Sequence, residues 1–444
     1  MKLKSFIAAF LFLIVYQACV FAQTKATAPT VDDSGQKMSL FLDYNLRLSG
    51  DIYSNIDYTS QKTVPANVLR QYMSIAVTGK FDERIEMSAK LAYYGVAGSN
   101  NSIFLTNYSR YNPSLFLQTA FLTYKGDPKA EIPFTLLAGK QEITYGSGLI
   151  IDSNANGMLA LRGQADFFNS FSLDVFAGKL DNIDFTLFGG NIKLKMLPII
   201  EFGIYGEQNR SGFAFNRGIY DPAPEFAIAT DKKIFYNFRL SGEDKSYRYS
   251  IEIARQTGEL VKSSTESFTY GMTAFLAEGW WQGKMFSAKS NAGLIFSYNG
   301  TKEGYAFNPT FTKRYTEDGR TGYGFLFAAS AADSFLILPA GFNGINTLGI
   351  KFDTEPLAFT QAGAGFFFYS ASGAPSGGAA PGLAQVYGAA ADLGSELDLF
   401  VKYRYRKYFS AGINFGMYMP PKTASVFANT QNAYLLQLKV NAKF

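Results

Sequence analysis

The chain has 444 residues, a formal net charge of +5, a single cysteine and no histidine. The absence of histidine excludes histidine-dependent catalysis and the commonest metal ligand, and one cysteine cannot form an intramolecular disulfide. We therefore expect no enzyme, no cofactor and no metal site, and the weak positive charge predicts no nucleic-acid partner. Charged residues make up 17% of the chain and aromatic residues 16%, a composition that favours many strands joined by turns.

The first 22 residues have the pattern of a secretory signal peptide. Two lysines within the first four residues form a basic start, an apolar run covers residues 6–15, and Ala22 is a small residue at the expected cleavage site. The alternative of a membrane anchor helix is disfavoured because the run is short for a span. Residues 23–37 are then expected to form a flexible periplasmic lead, and residues 38–444 a transmembrane β-barrel.

The organising signal is an alternation of apolar and polar residues, as in membrane-spanning strands. In residues 42–49, even-numbered positions carry Leu or Tyr, and odd-numbered positions carry polar or charged side chains. The pattern returns at residues 73–93, 171–177, 234–240, 247–253, 399–405 and 436–443. The chain ends in Phe444. A terminal strand with a final aromatic residue resembles the signal read by the barrel-assembly machinery, so Phe444 is the predicted assembly signal.

Connections between these segments alternate between short and long, as do the periplasmic turns and outer loops of membrane barrels. The predicted short turns lie near residues 82–84, 126–131, 180–182, 243–245, 354–356 and 407–409. The predicted long loops lie near residues 51–70, 95–114, 144–166, 208–232, 299–342 and 371–394. We therefore expect an all-β, antiparallel up-and-down barrel of about eighteen strands with both termini in the periplasm. The count includes a short outer turn at Gly189-Gly190; without that turn the alternative is sixteen strands.

A barrel of this size is expected to enclose a pore. Closure satisfies every backbone hydrogen bond in hydrocarbon, and large barrels leave an aqueous channel. The inward charges lean basic, which favours anions. The predicted pore-lining residues are Arg47, Arg239, Arg248, Lys402, Arg404 and Arg406. For each of them the alternative is pairing with a carboxylate of the wall, and the last three stand out because they repeat at period two without an acid between them.

Three stretches occur in an order that resembles a known family. Residues 136–148 (LLAGKQEITYGSG) resemble a strand ending in G-[RK]-Q-E-x-x-Y-G-x-G, residues 307–311 resemble the start of a long loop, and residues 394–399 resemble a G-x-E-L-D strand. In these stretches the chain is similar to the alginate-export family of outer-membrane porins. The resemblance implies an eighteen-stranded barrel with an electropositive lumen, through which an anionic polysaccharide leaves the cell.

The sequence thus predicts a porin in the outer membrane of a Gram-negative bacterium. It would pass anionic or sugar-like solutes by passive diffusion through a basic lumen, with export of an anionic polysaccharide as the specific form. The alternative is a structural or partner-binding barrel with no open channel. The expected partners are outer-membrane lipid and lipopolysaccharide, the barrel-assembly machinery, and an anionic or saccharide solute. Glu396 and Asp398, the carboxylates that a barrel enzyme would have to use, are interpreted as structural.

Overall fold

A computed structural model of the chain describes residues 29–31, 37–56, 58, 66–98, 114–153, 157–168, 170–180, 184–215, 224–285, 287–302, 305–307, 309, 315–316, 319–320, 324–326, 343–373, 391–406, 408–422 and 428–443. Eighteen long strands in this part of the chain belong to one antiparallel sheet. Numbered β1 to β18 in chain order, they are Lys37–Ser54, Ala66–Lys80, Ile85–Gly98, Ser114–Lys125, Phe134–Gln141, Met158–Phe167, Phe171–Lys179, Phe185–Leu194, Ile199–Asn209, Thr230–Glu243, Tyr247–Val261, Ser267–Met285, Ala288–Asn299, Asn343–Leu357, Thr360–Gly373, Ala391–Tyr405, Phe409–Met419 and Ala433–Lys443.

The sheet closes on itself because β18 pairs with β1. The pairing runs from Asn45 opposite Lys443 to Ser54 opposite Tyr434. Each of the eighteen strands therefore has two hydrogen-bonded neighbours, which is the condition for crossing hydrocarbon with strands. The predicted antiparallel up-and-down barrel of eighteen strands is confirmed, and the alternative count of sixteen is wrong. Among the described residues, no helix has the length and apolar character needed to span a bilayer.

Side chains along each strand alternate between the exterior and the lumen, and directly opposite residues of neighbouring strands share a face. One exterior row runs through Tyr44, Ile75, Leu91 and Leu117 on β1 to β4. The last three of these side chains are 41–45% exposed, as expected where lipid takes the place of water. Large apolar side chains continue this exterior surface around the barrel, and we call it the lipid-facing belt. The structure thus bears out the faces predicted for residues 42–49 and 73–93.

The two ends of the barrel differ in the length of their connections. The end that carries both termini has short turns, such as residues 81–84 between β2 and β3 and residues 358–359 between β14 and β15. The opposite end carries the longer connections, including residues 300–342 between β13 and β14. The predicted turn at residues 354–356 is displaced by a register irregularity after Thr354. Pro29–Val31, within the predicted lead, pairs with the start of β1, and the predicted signal peptide lies outside the described residues.

Two predicted connections between β5 and β9 are wrong, and the two errors cancel in the strand count. The predicted loop at residues 144–166 contains most of β6. The exterior face of β6 carries Leu159 and Leu161, followed by the small residues Gly163 and Ala165. Because half of its lipid-facing side chains are small, this strand lacks the strong alternation that identifies the others.

The predicted outer turn at Gly189-Gly190 lies inside β8 instead. Gly189 faces the lumen, where a Cβ would lie 2.6 Å from the ring of Phe176 on β7 and 3.0 Å from the carbonyl oxygen of Ile204 on β9. The glycine therefore makes room for an aromatic side chain and does not form a turn. The connection predicted at residues 180–182 is also misplaced, since it joins β7 to β8 at the end with the long loops.

The close approach of β4 and β5 leads to a test of the fold. Gly139 has a φ of 127°, and a Cβ there would lie 2.8 Å from the Cα of Phe121 and still closer to the Ala120 carbonyl oxygen. We expect Gly139→Ala to lose folded barrel, because a side chain in this backbone conformation costs about 1–3 kcal/mol before the clash is counted. The fraction of heat-modifiable protein on a semi-native gel measures the effect.

The matched control is Gly163→Ala on the neighbouring strand β6. There a Cβ would meet only side-chain atoms, at 3.7 and 3.8 Å, which is ordinary contact. Equal folded fractions for the two variants would contradict the expectation.

Candidate functional site

Five of the six predicted pore-lining cations lie on the inner face of the wall. They are Arg47 on β1, Arg239 on β10, Arg248 on β11, and Lys402 and Arg404 on β16. The alternation predicted from the sequence is therefore correct for these side chains. That they line an open channel stays a prediction.

Arg406, the sixth candidate, lies beyond the end of β16, in the turn that leads to β17. Its φ is 52°, and its guanidinium carbon lies 5.5 Å from the centroid of the Tyr405 ring, which faces the exterior. The period-two row of cations therefore ends at Arg404, and Arg406 does not extend it. Phe444, the predicted assembly signal, lies outside the described residues.

The inward arginines have different surroundings. The guanidinium carbon of Arg47 lies 5.0 Å from the ring centroid of Tyr72, and that of Arg248 lies 5.6 Å from the Trp280 ring. Both distances are within the range of a cation–π contact. Arg239 instead places Nη1 2.7 Å from a carboxylate oxygen of Glu201. Its charge is thereby compensated, which is the alternative role that the sequence leaves open for these residues.

Several other inward cations are also paired with carboxylates, so the lumen is not uniformly basic. The pairs are Arg70–Asp51, Lys90–Glu142, Arg162–Asp174, Lys233–Glu207 and Lys233–Asp231. Glu142 lies just beyond β5, where burial raises the pKa of its carboxyl above the ordinary value and Lys90, 3.7 Å away, opposes that effect. Paired charges of this kind hydrate and rigidify a wall without making it selective for one sign.

Five inward cations are concentrated in one sector of the wall, which we call the basic arc. It spans β16, β17, β18 and β1, and its members are Arg47, Lys402, Arg404, Lys439 and Lys443. Register rows join Lys402 to Lys439 and Arg404 to Arg47. The residues between them in these rows are neutral: Gly412, Ser410 and Asn441. The arc lies in the half of the lumen at the end with the short turns, which corresponds to the predicted periplasmic side.

The connection between β5 and β6 folds into the lumen and is held there by a carboxylate of the opposite wall. The backbone N–H of Ser147 donates to Glu252 Oε2 at 2.8 Å, and the Ser147 hydroxyl donates to the same oxygen. Glu252 lies on β11, has no exposed surface, and also accepts from Asn237. At Gly146 a Cβ would lie 2.6 Å from Glu252 Oε1, so the loop needs a glycine to wrap the carboxylate.

Apolar side chains seal this loop against the wall. Tyr145 packs on Phe176 with ring centroids 5.9 Å apart, and Tyr205 stacks on Phe235 at 5.6 Å. The Phe235 ring also contacts Phe307, from the connection after β13, at 5.7 Å. The sequence favours lipid-facing positions for most aromatic residues, but these wall aromatics point inward and bury the loops.

A second segment, residues 324–326 of the connection between β13 and β14, is held in the same way. The N–H of Phe325 donates to Asp398 Oδ2 at 2.9 Å, and the N–H of Leu326 donates to Glu396 Oε1 at 2.6 Å. The Tyr369 hydroxyl donates to the other oxygen of Glu396 at 3.0 Å. Glu396 is 0% exposed and Asp398 3%, so both carboxylates depend on these donors in place of water. Their interpretation as structural groups is thus supported.

Leu149 connects the two inward segments. The first loop packs in one buried apolar cluster and residues 325–326 in another, and Leu149 contacts both clusters. Within the described residues, loop and wall side chains therefore pack together in the half of the lumen at the end with the long connections, which we call the outer half. The candidate site is the lumen, with inward-folded loops in this outer half and a polar, partly basic wall in the other half.

Some residues of this site lie in stretches that the sequence analysis singles out. Residues 136–148 form β5 and the start of the first inward loop, and residues 394–399 carry the carboxylates that hold the second segment. Glu252 has Ala254 and Leu276 as inward neighbours but lies directly opposite Arg239 on β10. The strand pattern alone therefore marks Glu252 as an inward acid and does not mark it as the acceptor for a loop.

Comparisons with known proteins give structural matches only. No family model matches the sequence, and no curated protein is significantly similar to it. OprD from Pseudomonas aeruginosa matches with a TM-score of 0.55 at 9% identity, over 94% of this chain and 95% of OprD. OccAB4 from Acinetobacter baumannii matches with a TM-score of 0.53 at 10% identity, over 93% and 100% of the two chains. Pseudomonas aeruginosa OpdK, solved with vanillate, matches with a TM-score of 0.50 at 9% identity, over 91% and 98%.

These likenesses establish the fold, which is that of outer-membrane porins. The matching structures are OprD and Occ porins, so they support a porin architecture and do not support the resemblance to the alginate-export family. Together with the lipid-facing belt, the eighteen-stranded fold places the chain in the outer membrane of a Gram-negative bacterium.

The anchored first loop leads to a test of the site. We expect Glu252→Ala to raise the single-channel conductance in planar bilayers, because the variant removes the acceptor that fixes the Ser147 backbone across the lumen. Loss of a charge-assisted hydrogen bond of this kind costs about 1.5–3 kcal/mol, enough to release the loop. Asp353→Ala is the matched control, since among the described residues Asp353 accepts only from Asn291 and Gln361 of the wall. The same conductance for the Glu252 variant and wild type would show that the loop does not limit flow.

Proposed function

We propose that the protein is a passive, non-enzymatic porin that admits small anionic solutes. The observation that carries the proposal is the closed eighteen-stranded barrel with a polar inner wall in its periplasmic half and wall-anchored loops in its outer half. A barrel of this size has room for an aqueous path, and loops folded into it set the size of the solute. The loops thus supply the sieve, and the wall supplies the charge preference.

The basic arc supports an anion as the solute. Its cations lie on β16, β18 and β1, and the residues between them in two register rows are neutral. Several other wall cations face carboxylates, as in the Arg239–Glu201 pair. An anion that passes the loops would therefore meet an uneven field that draws it toward this sector of the wall.

The loops favour a small solute over an exported polysaccharide. A polymer needs a path of constant width through the whole barrel, whereas the outer half holds two buried apolar clusters joined by Leu149. OpdK, one of the structural matches, was solved with vanillate, an aromatic carboxylate of suitable size and charge. Vanillate is therefore a reasonable first probe, with oligouronates as the test of the polysaccharide alternative.

The proposal is tested by bilayer recording of the purified mature chain in a salt gradient. We expect open, anion-selective channels that vanillate blocks at lower concentration than an oligouronate does. Replacing two cations of the basic arc, Lys402→Gln with Arg404→Gln, should shift the reversal potential toward cations. Lys179→Gln, an exposed cation on the exterior face of β7, is the matched control and should leave the reversal potential unchanged.

Three outcomes would count against the proposal. Channels that show no preference for anions over cations would indicate a general porin and would contradict the assignment of an anionic solute. Stronger block by long oligouronates than by vanillate would restore polysaccharide export. A well-folded barrel without conductance would favour a structural or partner-binding barrel. The loops packed in the outer half of the lumen are compatible with that alternative.

A further inference from the structure

A cationic site lies on the exterior of the barrel, where the lipid-facing belt ends on the outer side. On β11 the exterior side chain of Ile253 is 41% exposed, and the next exterior residue is Arg255. On β12 the exterior residues change from apolar Phe275 to polar Thr273. At the end of β13 they change from Tyr298 to Gly300. The surface therefore turns from apolar to polar along a single line, at the height of the outer-leaflet headgroups.

Arg255 and Lys302 converge on the same glycine at this line. A Cβ atom on Gly271 would lie 3.5 Å from Arg255 Nη2 and 3.9 Å from Lys302 Nζ. Lys302 follows β13 on a short extension beside β12, where the N–H of Gly300 donates to the carbonyl oxygen of Thr273 at 2.8 Å. The missing side chain at Gly271 leaves a recess between the two cationic groups.

Neutral oxygen atoms hold both cations in place. Arg255 Nη1 donates to the hydroxyl of Thr273 at 2.9 Å, and Lys302 Nζ donates to the carbonyl oxygen of Thr269 at 2.8 Å. Within the described part of the chain, neither has a carboxylate oxygen within the 4.0 Å of an ion pair. Two like charges fixed close together repel each other, and an anion placed between them removes that repulsion.

The surrounding charges reinforce this preference. Lys232 on β10 is also exposed on the exterior face, four register rows from Arg255. Among the described residues, an exterior acid of this neighbourhood is Glu259, which lies directly opposite Lys232 on β10 and Thr269 on β12. Glu259 forms no ion pair within 4.0 Å with Arg255 or Lys302, so it does not neutralise either cation directly.

We propose that Arg255 and Lys302 bind a phosphate group of a phosphorylated glycolipid in the outer leaflet. The phosphate would sit over Gly271, and the acyl chains of the same molecule would lie along Ile253, Phe275 and Phe296 just below it. Phe275 and Phe296 already form a continuous surface, with ring centroids 5.7 Å apart. A soluble phosphate would use the cations alone, whereas a glycolipid uses the cations and the adjoining belt. This site is on the exterior, so it is independent of what passes through the lumen.

The test is native mass spectrometry of the full mature barrel in mild detergent, with bis-phosphorylated lipid A and its dephosphorylated form as probes. We expect the wild-type protein to retain lipid A and to bind the dephosphorylated form much more weakly. The double variant Arg255→Gln with Lys302→Gln should bind lipid A about tenfold more weakly, or worse, because two charge-assisted contacts are lost. Lys179→Gln, which removes one exterior cation at the same end of the barrel, is the matched control and should bind as wild type.

A second variant addresses the recess itself. Gly271→Leu keeps both cations and places a side chain where the phosphate would sit, so it should weaken lipid A binding as much as the double variant. Heat-modifiability of each variant confirms that the barrel is folded before binding is compared. Equal binding of lipid A to the double variant and to the Lys179 control would overturn the proposal. Binding of inorganic phosphate at this site without retention of lipid A would overturn the assignment to a glycolipid.

Discussion

The outer half of the lumen depends on three buried carboxylates of the wall. Glu252, Glu396 and Asp398 accept backbone N–H groups from chain segments that are not part of the wall. A buried acceptor without a donor costs about 1–3 kcal/mol, and a buried charge without partners costs more. Wall and loops therefore require each other: the loops lose their anchors without the carboxylates, and the carboxylates lose their donors without the loops.

This arrangement explains why the lumen is not the simple basic tube that its inward residues suggest. A strand pattern shows which side chains face inward, and that part of the prediction holds for Arg47, Arg239 and Arg248. It does not show what lies across the barrel from them. Arg239 is compensated by Glu201 because the register brings β9 and β10 together at that height, a fact of pairing that one strand read alone does not contain.

The fold could be predicted where side chains are large and could not where they are small. β1 and β2 have strong alternation, so their faces follow from the sequence directly. β6 has the small residues Gly163 and Ala165 on its exterior face, and β8 has Gly189 where the ring of Phe176 needs space. Without their neighbours across the sheet, small residues of this kind indicate a loop or a turn. The inward loops could not be predicted from the sequence for a different reason. Their anchors are hydrogen bonds between residues seventy or more positions apart, such as Ser147 with Glu252, and no local pattern marks such a pair.

Leu149 has a mechanical consequence for the pore. Since this one side chain contacts both buried clusters, a displacement of the first loop removes packing from the segment at residues 325–326 as well. The two obstructions are thus coupled parts of one element, and buried clusters of this kind have discrete arrangements instead of a continuous range. Opening should accordingly be concerted, with current recordings that step between a closed and an open level and spend little time at intermediate ones.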